Sequence, residues 1–226
     1  MIQVDRLSRR FGSCHAIAEA SFTVGRGEAL GIAGAERSGK STLLRMLAAL
    51  VRPTSGSVRI DGRDVVADVA AVRRAVMYVE PAPRSTPMRV SEYLQFIAES
   101  RRLPSPRRAA AEALRRVCVD PAASIDAPGP VGALAGVTAA LMVAPPVILL
   151  DECLDGLEES AALPVLDWLR ETRNAGTAMA IASRSISTLE CACDRVARLD
   201  SGRITDITAA DRTRLQASAA GVEGRG

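Results

Sequence analysis

One stretch constrains this chain more than any other: Gly34-Ala35-Glu36-Arg37-Ser38-Gly39-Lys40-Ser41-Thr42. It fits the pattern G-x-x-x-x-G-K-[ST]. The apolar run Glu28 to Ala33 precedes it and reads as a buried strand; Leu43 to Leu50 follows it and reads as a helix. In a strand–loop–helix context, successive backbone N–H groups turn inward and meet phosphate oxygens, and the helix N-terminus adds its positive end. Lys40 is placed to reach the outer phosphates of a nucleotide, and Ser41 to hold Mg²⁺. The competing explanation is a chance glycine-rich turn. A second motif argues against chance: the strand Val147-Ile148-Leu149-Leu150 ends in Asp151-Glu152. Asp151 is expected to meet Mg²⁺ directly or through water, and Glu152 to polarise an attacking water as general base. Glu36 puts a carboxylate beside anionic phosphates, so its side chain must turn outward; Arg37 adjoins it and offsets the charge.

Other segments alternate in the same way. Ile2 to Val4, Ala20 to Val24, Gly56 to Ile60, Ala178 to Ala182 and Val196 to Leu199 read as strands. Glu158 to Arg173 and Ser187 to Cys193 read as helices. Strands alternating with helices imply an α/β core on a mostly parallel sheet. Between about Val90 and Val117 apolar residues recur at helical spacing, so an inserted helical piece is expected over roughly residues 86–144. The core then covers about 1–85 and 145–208, and the small, polar tail from Ala209 is expected to be a short helix with a frayed end.

Composition narrows the function. Aromatics make up 3% and the net charge is +3, which gives no case for a nucleic-acid partner. The five cysteines are scattered and there is one histidine, so neither a disulfide framework nor a zinc site is indicated. The opening MIQVDRLSRRF lacks the apolar region of a secretory signal. Between Asp126 and Asp151 no charge occurs, a length that would span a bilayer. Pro145-Pro146 interrupts it, and a strand follows, so a buried core segment is expected instead.

Over nearly its whole length the chain resembles the nucleotide-binding subunit of ABC transporters. The resemblance implies a P-loop NTPase (RecA-like) fold: a mostly parallel sheet, an antiparallel β part and an inserted helical subdomain. GAERSGKST resembles the Walker A loop and VILLDE the Walker B strand. Phe11, in RRFG, falls where the family stacks an aromatic on adenine; the alternative for a lone aromatic is a core position. Asp155-Gly156-Leu157-Glu158 resembles the D-loop, with Glu158 where Asp is usual. Residues 193–204 resemble the closing strand pair. Residues 77–103 look most like exporters with a separate membrane subunit, including the gliding-motility type, which often carry Glu where most relatives have the Q-loop Gln. Glu80 holds that position and is implied to touch Mg²⁺ or its water. Arg184 stands at the switch histidine and is a permanent cation.

The charge-free stretch carries the largest departure. Pro130 to Gly136 resembles the start of the family's signature segment, with Ala135 at the serine. This alignment removes about seven residues, close to two helical turns. An ungapped alignment instead puts Ala127-Pro128-Gly129-Pro130-Val131 at the signature. Either way the serine hydroxyl that meets a neighbouring subunit's γ-phosphate is missing. A hydrogen bond to a charged group contributes about 1.5–3 kcal/mol. The resemblance therefore implies Mg²⁺–ATP binding with impaired turnover. It also implies a membrane-spanning permease docked around Pro81 to Tyr93, a homodimer or heterodimer of ATP-binding subunits, and a cytoplasmic position on the inner face of the membrane. The alternatives are a regulatory module that holds ATP as a brace, or an ABC protein outside transport.

Overall fold

The computed structural model describes residues 1–80, 88–117, 119–127 and 129–210, the side chains of 159 and 160 excepted. The expected tail helix, much of the dock at Pro81 to Tyr93, Cys118 and Pro128 lie outside the described residues.

In chain order the first half comprises β1 (Ile2–Phe11), β2 (Cys14–Val24), β3 (Ala29–Ala33), α1 (Lys40–Leu47), β4 (Ser55–Ile60), β5 (Arg63–Asp64), α2 (Val69–Ala75) and β6 (Val76–Val79). The second half comprises α3 (Val90–Ser100), α4 (Pro106–Val117), α5 (Val131–Val143), β7 (Val147–Asp151), α6 (Glu159–Asn174), β8 (Ala178–Ser183), α7 (Ile186–Ala192), β9 (Arg195–Asp200) and β10 (Arg203–Ala209). One sheet is antiparallel, in the order β2-β1-β4-β5, and the other runs β10-β9-β3-β8-β7-β6. In the larger sheet β9, β3, β8, β7 and β6 are parallel, and β10 closes the edge antiparallel to β9. This is the expected α/β architecture.

β3, β7 and β8 are buried at every residue. Strands covered on both faces read as unbroken apolar runs, which is why the sequence showed them so plainly. Their alternate residues feed two cores. Leu30, Ile32, Leu149 and Ala182 pack with Leu43, Leu44 and Leu47 of α1 and with the antiparallel sheet. Ile148, Leu150, Met179 and Ile181 pack on the other side with Leu141, Trp168 and Leu189 from the helices. The helix expected from Leu43 begins earlier, because Lys40 to Thr42 already form its first turn.

The charge-free stretch folds as α5. Residues Ala133 to Leu141 are all buried, so the helix is apolar on every side and lies inside the protein. Ala144 then adopts a left-handed conformation (φ 44°) ahead of Pro145-Pro146, which ends the helix. Among the described residues no helix is long and apolar enough to cross a membrane. The helices α3, α4 and α5 pack against one another.

One placement needs correction. The gapped alignment matches Ala135 to the signature serine in a segment leading into a helix, but the helix starts at Val131 with Pro130 at its N-cap. Ala135 therefore sits in the second turn and is fully buried, out of reach of a neighbouring subunit. The segment leading into the helix is the one named by the ungapped alignment, with Gly129 and Pro130 exposed.

Candidate nucleotide site

The loop between β3 and α1 is held from both ends. Gly39 has φ +108°, and a Cβ there would lie 2.4 Å from the Ala16 carbonyl oxygen. At Gly34 a Cβ would lie 2.5 Å from the Leu199 carbonyl oxygen. Both positions demand glycine. The turn between β9 and β10 braces the loop, since Gly202 N–H donates to the Ser38 carbonyl at 2.9 Å. Lys40 is buried, and its Nζ donates to the carbonyls of Gly34 and Ala35, each at 2.7 Å. No side chain caps the N-terminus of α1, and its first turn carries no acidic residue. That end therefore presents a positive potential to an anion.

A cleft of about 730 Å³ opens over this loop. Glu36, Arg37, Gly39, Lys40, Ser41 and Thr42 line one wall, and Glu80, Asp151 and Glu152 another. Glu36 is exposed, as the repulsion argument requires. Gly34 and Ala35 face a separate recess of about 510 Å³, which they share with Arg184 and Arg198.

The carboxylate wall comes from β6 and β7. These strands are parallel, with Tyr78 opposite Leu149 and Val79 opposite Leu150, so Glu80 follows on beside Asp151. Asp151 Oδ2 accepts a hydrogen bond from the Tyr78 hydroxyl at 2.9 Å. Asp151 Oδ1 is buried with no hydrogen-bond partner. Burial pushes this carboxyl above its ordinary range, while hydrogen bonding from Ser41 and Tyr78 partly offsets the rise. Burial, and next the Asp151 charge, push the Tyr78 phenol well up, so it remains a donor. Glu80 Oε2 accepts from Arg45 at 2.8 Å and lies 3.1 Å from the Tyr78 hydroxyl.

Glu152 follows β7 in a left-handed conformation, φ 55°. Its N–H donates to the Ala182 carbonyl at 2.9 Å, and its carboxylate turns back between two cations. Lys40 Nζ is 3.2 Å from Oε1, and Arg184 Nε is 3.5 Å from Oε2. Positive φ at a non-glycine residue stores strain and clusters at functional sites. Asp155 anchors the neighbouring turn, accepting from the Ser183 hydroxyl and from Arg184 N–H.

Phe11 is 48% exposed at the β1–β2 hairpin, which removes the core alternative. The Arg9 guanidinium lies 4.3 Å from its ring centroid. The cleft itself is lined by its hairpin neighbours Cys14 and His15 rather than by Phe11. The residues that sequence reasoning missed are Tyr78, Arg45 and His15. For Tyr78 a signal existed: it stands two positions before Glu80 in a strand, and so shares its face.

A divalent cation fits this donor set. Asp151 offers a buried, unpartnered carboxylate oxygen, and the Ser41 hydroxyl interacts with the same carboxylate. Hard oxygen donors of this kind, with room for water and phosphate, suit Mg²⁺.

Comparison with known proteins decides the family. The family described as "ABC transporter" matches residues 17–155, more than half of the chain. The chain belongs to the ABC transporter family. The methionine import ATP-binding protein MetN 1 of Burkholderia pseudomallei is 30% identical to this ABC chain over 223 residues, covering 91% of it and 64% of the relative. The methionine import ATP-binding protein MetN of Mesorhizobium japonicum is 30% identical over 217 residues, covering 91% and 60%. The ABC chain thus spans somewhat under two thirds of the length of these curated relatives. They are import proteins by name. Among solved structures, an ATP-binding subunit of an ABC transporter has a TM-score of 0.82 at 22% identity, covering 100% of this chain and 95% of its own. A dimeric ATP-binding cassette, solved in a post-hydrolysis state with ADP and Pi, has a TM-score of 0.82 at 19% identity, covering 93% and 99%. These two establish the fold.

Proposed function

We propose that this chain is the ATP-binding subunit of an ABC transporter, holding Mg²⁺–ATP in the cleft above Lys40 and acting on a membrane-spanning permease. The observation that carries this reading is the convergence of the glycine loop, buried Lys40 and the Asp151–Glu152 pair on one cleft of about 730 Å³. Gly34 through Thr42 cradle the phosphates, and Lys40 exchanges its contact with Glu152 for phosphate oxygens. Ser41 and Asp151, with Glu80 behind them, hold the cation, which when bound neutralises charge on the outer phosphates. Glu152 accepts a proton from water, and Arg184 supplies a fixed positive charge beside it. Phe11 lies at the hairpin where an adenine ring would stack.

The family arrangement supports a dimer of such subunits at the cytoplasmic face of a membrane, with Pro81 to Tyr93 toward the permease. A second reading, ATP as a brace with little turnover, is favoured by one observation: the Glu152 carboxylate is held by Lys40 and Arg184 together. One experiment separates the two. ATP affinity and steady-state turnover are measured on the purified chain, alone and with its permease. Tight binding with permease-stimulated turnover supports the catalytic subunit. Tight binding without turnover supports the brace, and absence of ATP binding sinks both.

A further inference from the structure

The half-buried phenol on β6 has no part in the reading above. Val76, Met77 and Val79 around it are apolar, as a covered strand requires, yet the Tyr78 hydroxyl reaches Asp151 and Glu80, which both line the cleft. That hydroxyl has one proton and two carboxylate oxygens within reach: Asp151 Oδ2 at 2.9 Å and Glu80 Oε2 at 3.1 Å. It can donate to only one of them. Glu80 Oε2 already has a charged donor in Arg45 at 2.8 Å. Asp151 has no Lys or Arg within ion-pair distance among the described residues, so the phenol proton belongs to Asp151. The consequence is geometric. With Oδ2 tied, the carboxylate cannot swing, and Oδ1 stays unpartnered in the buried floor.

We propose that Tyr78 is a positioning residue for the divalent-cation subsite, fixing Asp151 so that Oδ1 is free to ligate the cation. The proposal rests on the reading of Asp151 as a cation ligand. Partners that orient metal ligands typically change metal affinity by roughly 10- to 100-fold when removed. Phenylalanine keeps the ring and removes only the hydroxyl, so Tyr78→Phe isolates the hydrogen bond.

The test uses the full chain with ATP. Affinity for ATP is measured in EDTA, and Mn²⁺ affinity of the ATP complex is measured by electron paramagnetic resonance. Tyr78→Phe is expected to leave the EDTA affinity unchanged and to weaken Mn²⁺ binding roughly 10-fold or more. Asp151→Asn is expected to weaken it at least as much. If Asp151→Asn loses Mn²⁺ and Tyr78→Phe does not, the positioning role is overturned while the cation site stands. If Asp151→Asn also keeps Mn²⁺, the cation-site reading itself fails. If Tyr78→Phe weakens ATP equally with and without metal, the residue is merely structural and the proposal is overturned. A second readout needs no variant. The chain has two tyrosines, so ring-labelled protein gives two Cζ carbon resonances. Adding Mg²⁺ to the ATP complex should shift that of Tyr78 and not that of Tyr93; an unmoved Tyr78 signal overturns the proposal.

Discussion

Replacing Glu152 with glutamine should tighten ATP binding while sharply lowering turnover. In the structure Lys40 Nζ lies 3.2 Å from Glu152 Oε1, and the lysine side chain is only 3% exposed. A triphosphate at this loop must take over that contact. The gross attraction between unit charges at this separation is roughly 5 kcal/mol for an effective permittivity of about 20. Desolvation of the two ions and the cost of ordering Glu152 offset most of it, leaving about 1–2 kcal/mol net. Glu152→Gln removes this competition, and also removes a negative charge facing the phosphates. ATP affinity should therefore rise by roughly 5- to 30-fold. Loss of the general base should lower turnover by about 10²- to 10⁴-fold. Titration calorimetry in EDTA reads the affinity without hydrolysis, and phosphate release with Mg²⁺ reads the rate. An affinity equal to or weaker than that of the wild type would show that Lys40 is not released from Glu152 on binding, and the exchange argument would be wrong.

Other perturbations test the parts around it. Gly39→Ala places a Cβ 2.4 Å from the Ala16 carbonyl oxygen at φ +108°, so thermal denaturation should show a loss on the order of 1–3 kcal/mol, with ATP affinity falling as the loop shifts. Asp151→Asn should raise the Tm of the chain without ATP at pH 7. Burial raises this carboxyl above its ordinary value of 3.8, so the folded chain holds the proton more tightly than the unfolded chain. Its stabilising contribution is full below 3.8 and is lost as pH rises through the higher folded value. The gain from Asn should therefore shrink in acid, and a constant gain across pH would contradict this origin. Ala135→Ser should leave turnover unchanged, because the residue is fully buried in α5, and a restored rate would revive the gapped alignment.

Legibility followed the physics of each segment. β3, β7 and β8 were visible as apolar runs because both faces are covered, and the phosphate loop because its glycines are sterically obligatory. The seven-residue α2 and two-residue β5 are too short to set up a periodic pattern. The start of α5 was misplaced for a different reason. A helix buried all round has no polar face, so the sequence carries no phase from which to find its first turn. Within the site, Lys40, Ser41, Asp151 and Glu152 were legible from motif spacing. Tyr78 could be placed on the face of Glu80, but its bond to Asp151 could not be read, since the two are 73 residues apart and meet only through the β6–β7 register.

The charges of the cleft, taken in pairs, single out one residue. Glu80 is matched by Arg45 at 2.8 Å. Glu152 is matched by Lys40 at 3.2 Å and by Arg184 at 3.5 Å. Asp151, the most buried of the carboxylates lining the cleft, has no ion-pair partner among the described residues; its hydrogen-bond donors are Tyr78 and Ser41, and the Arg45 charge acts on it from farther off. A buried carboxylate without a cation is costly, and folded proteins relieve that cost by protonation or by a metal. The upward push on the Asp151 carboxyl reflects that cost, and a divalent cation would relieve it. An ionised Asp151 thus has no ion-pair partner among the described residues, where a cation bound with ATP would supply one.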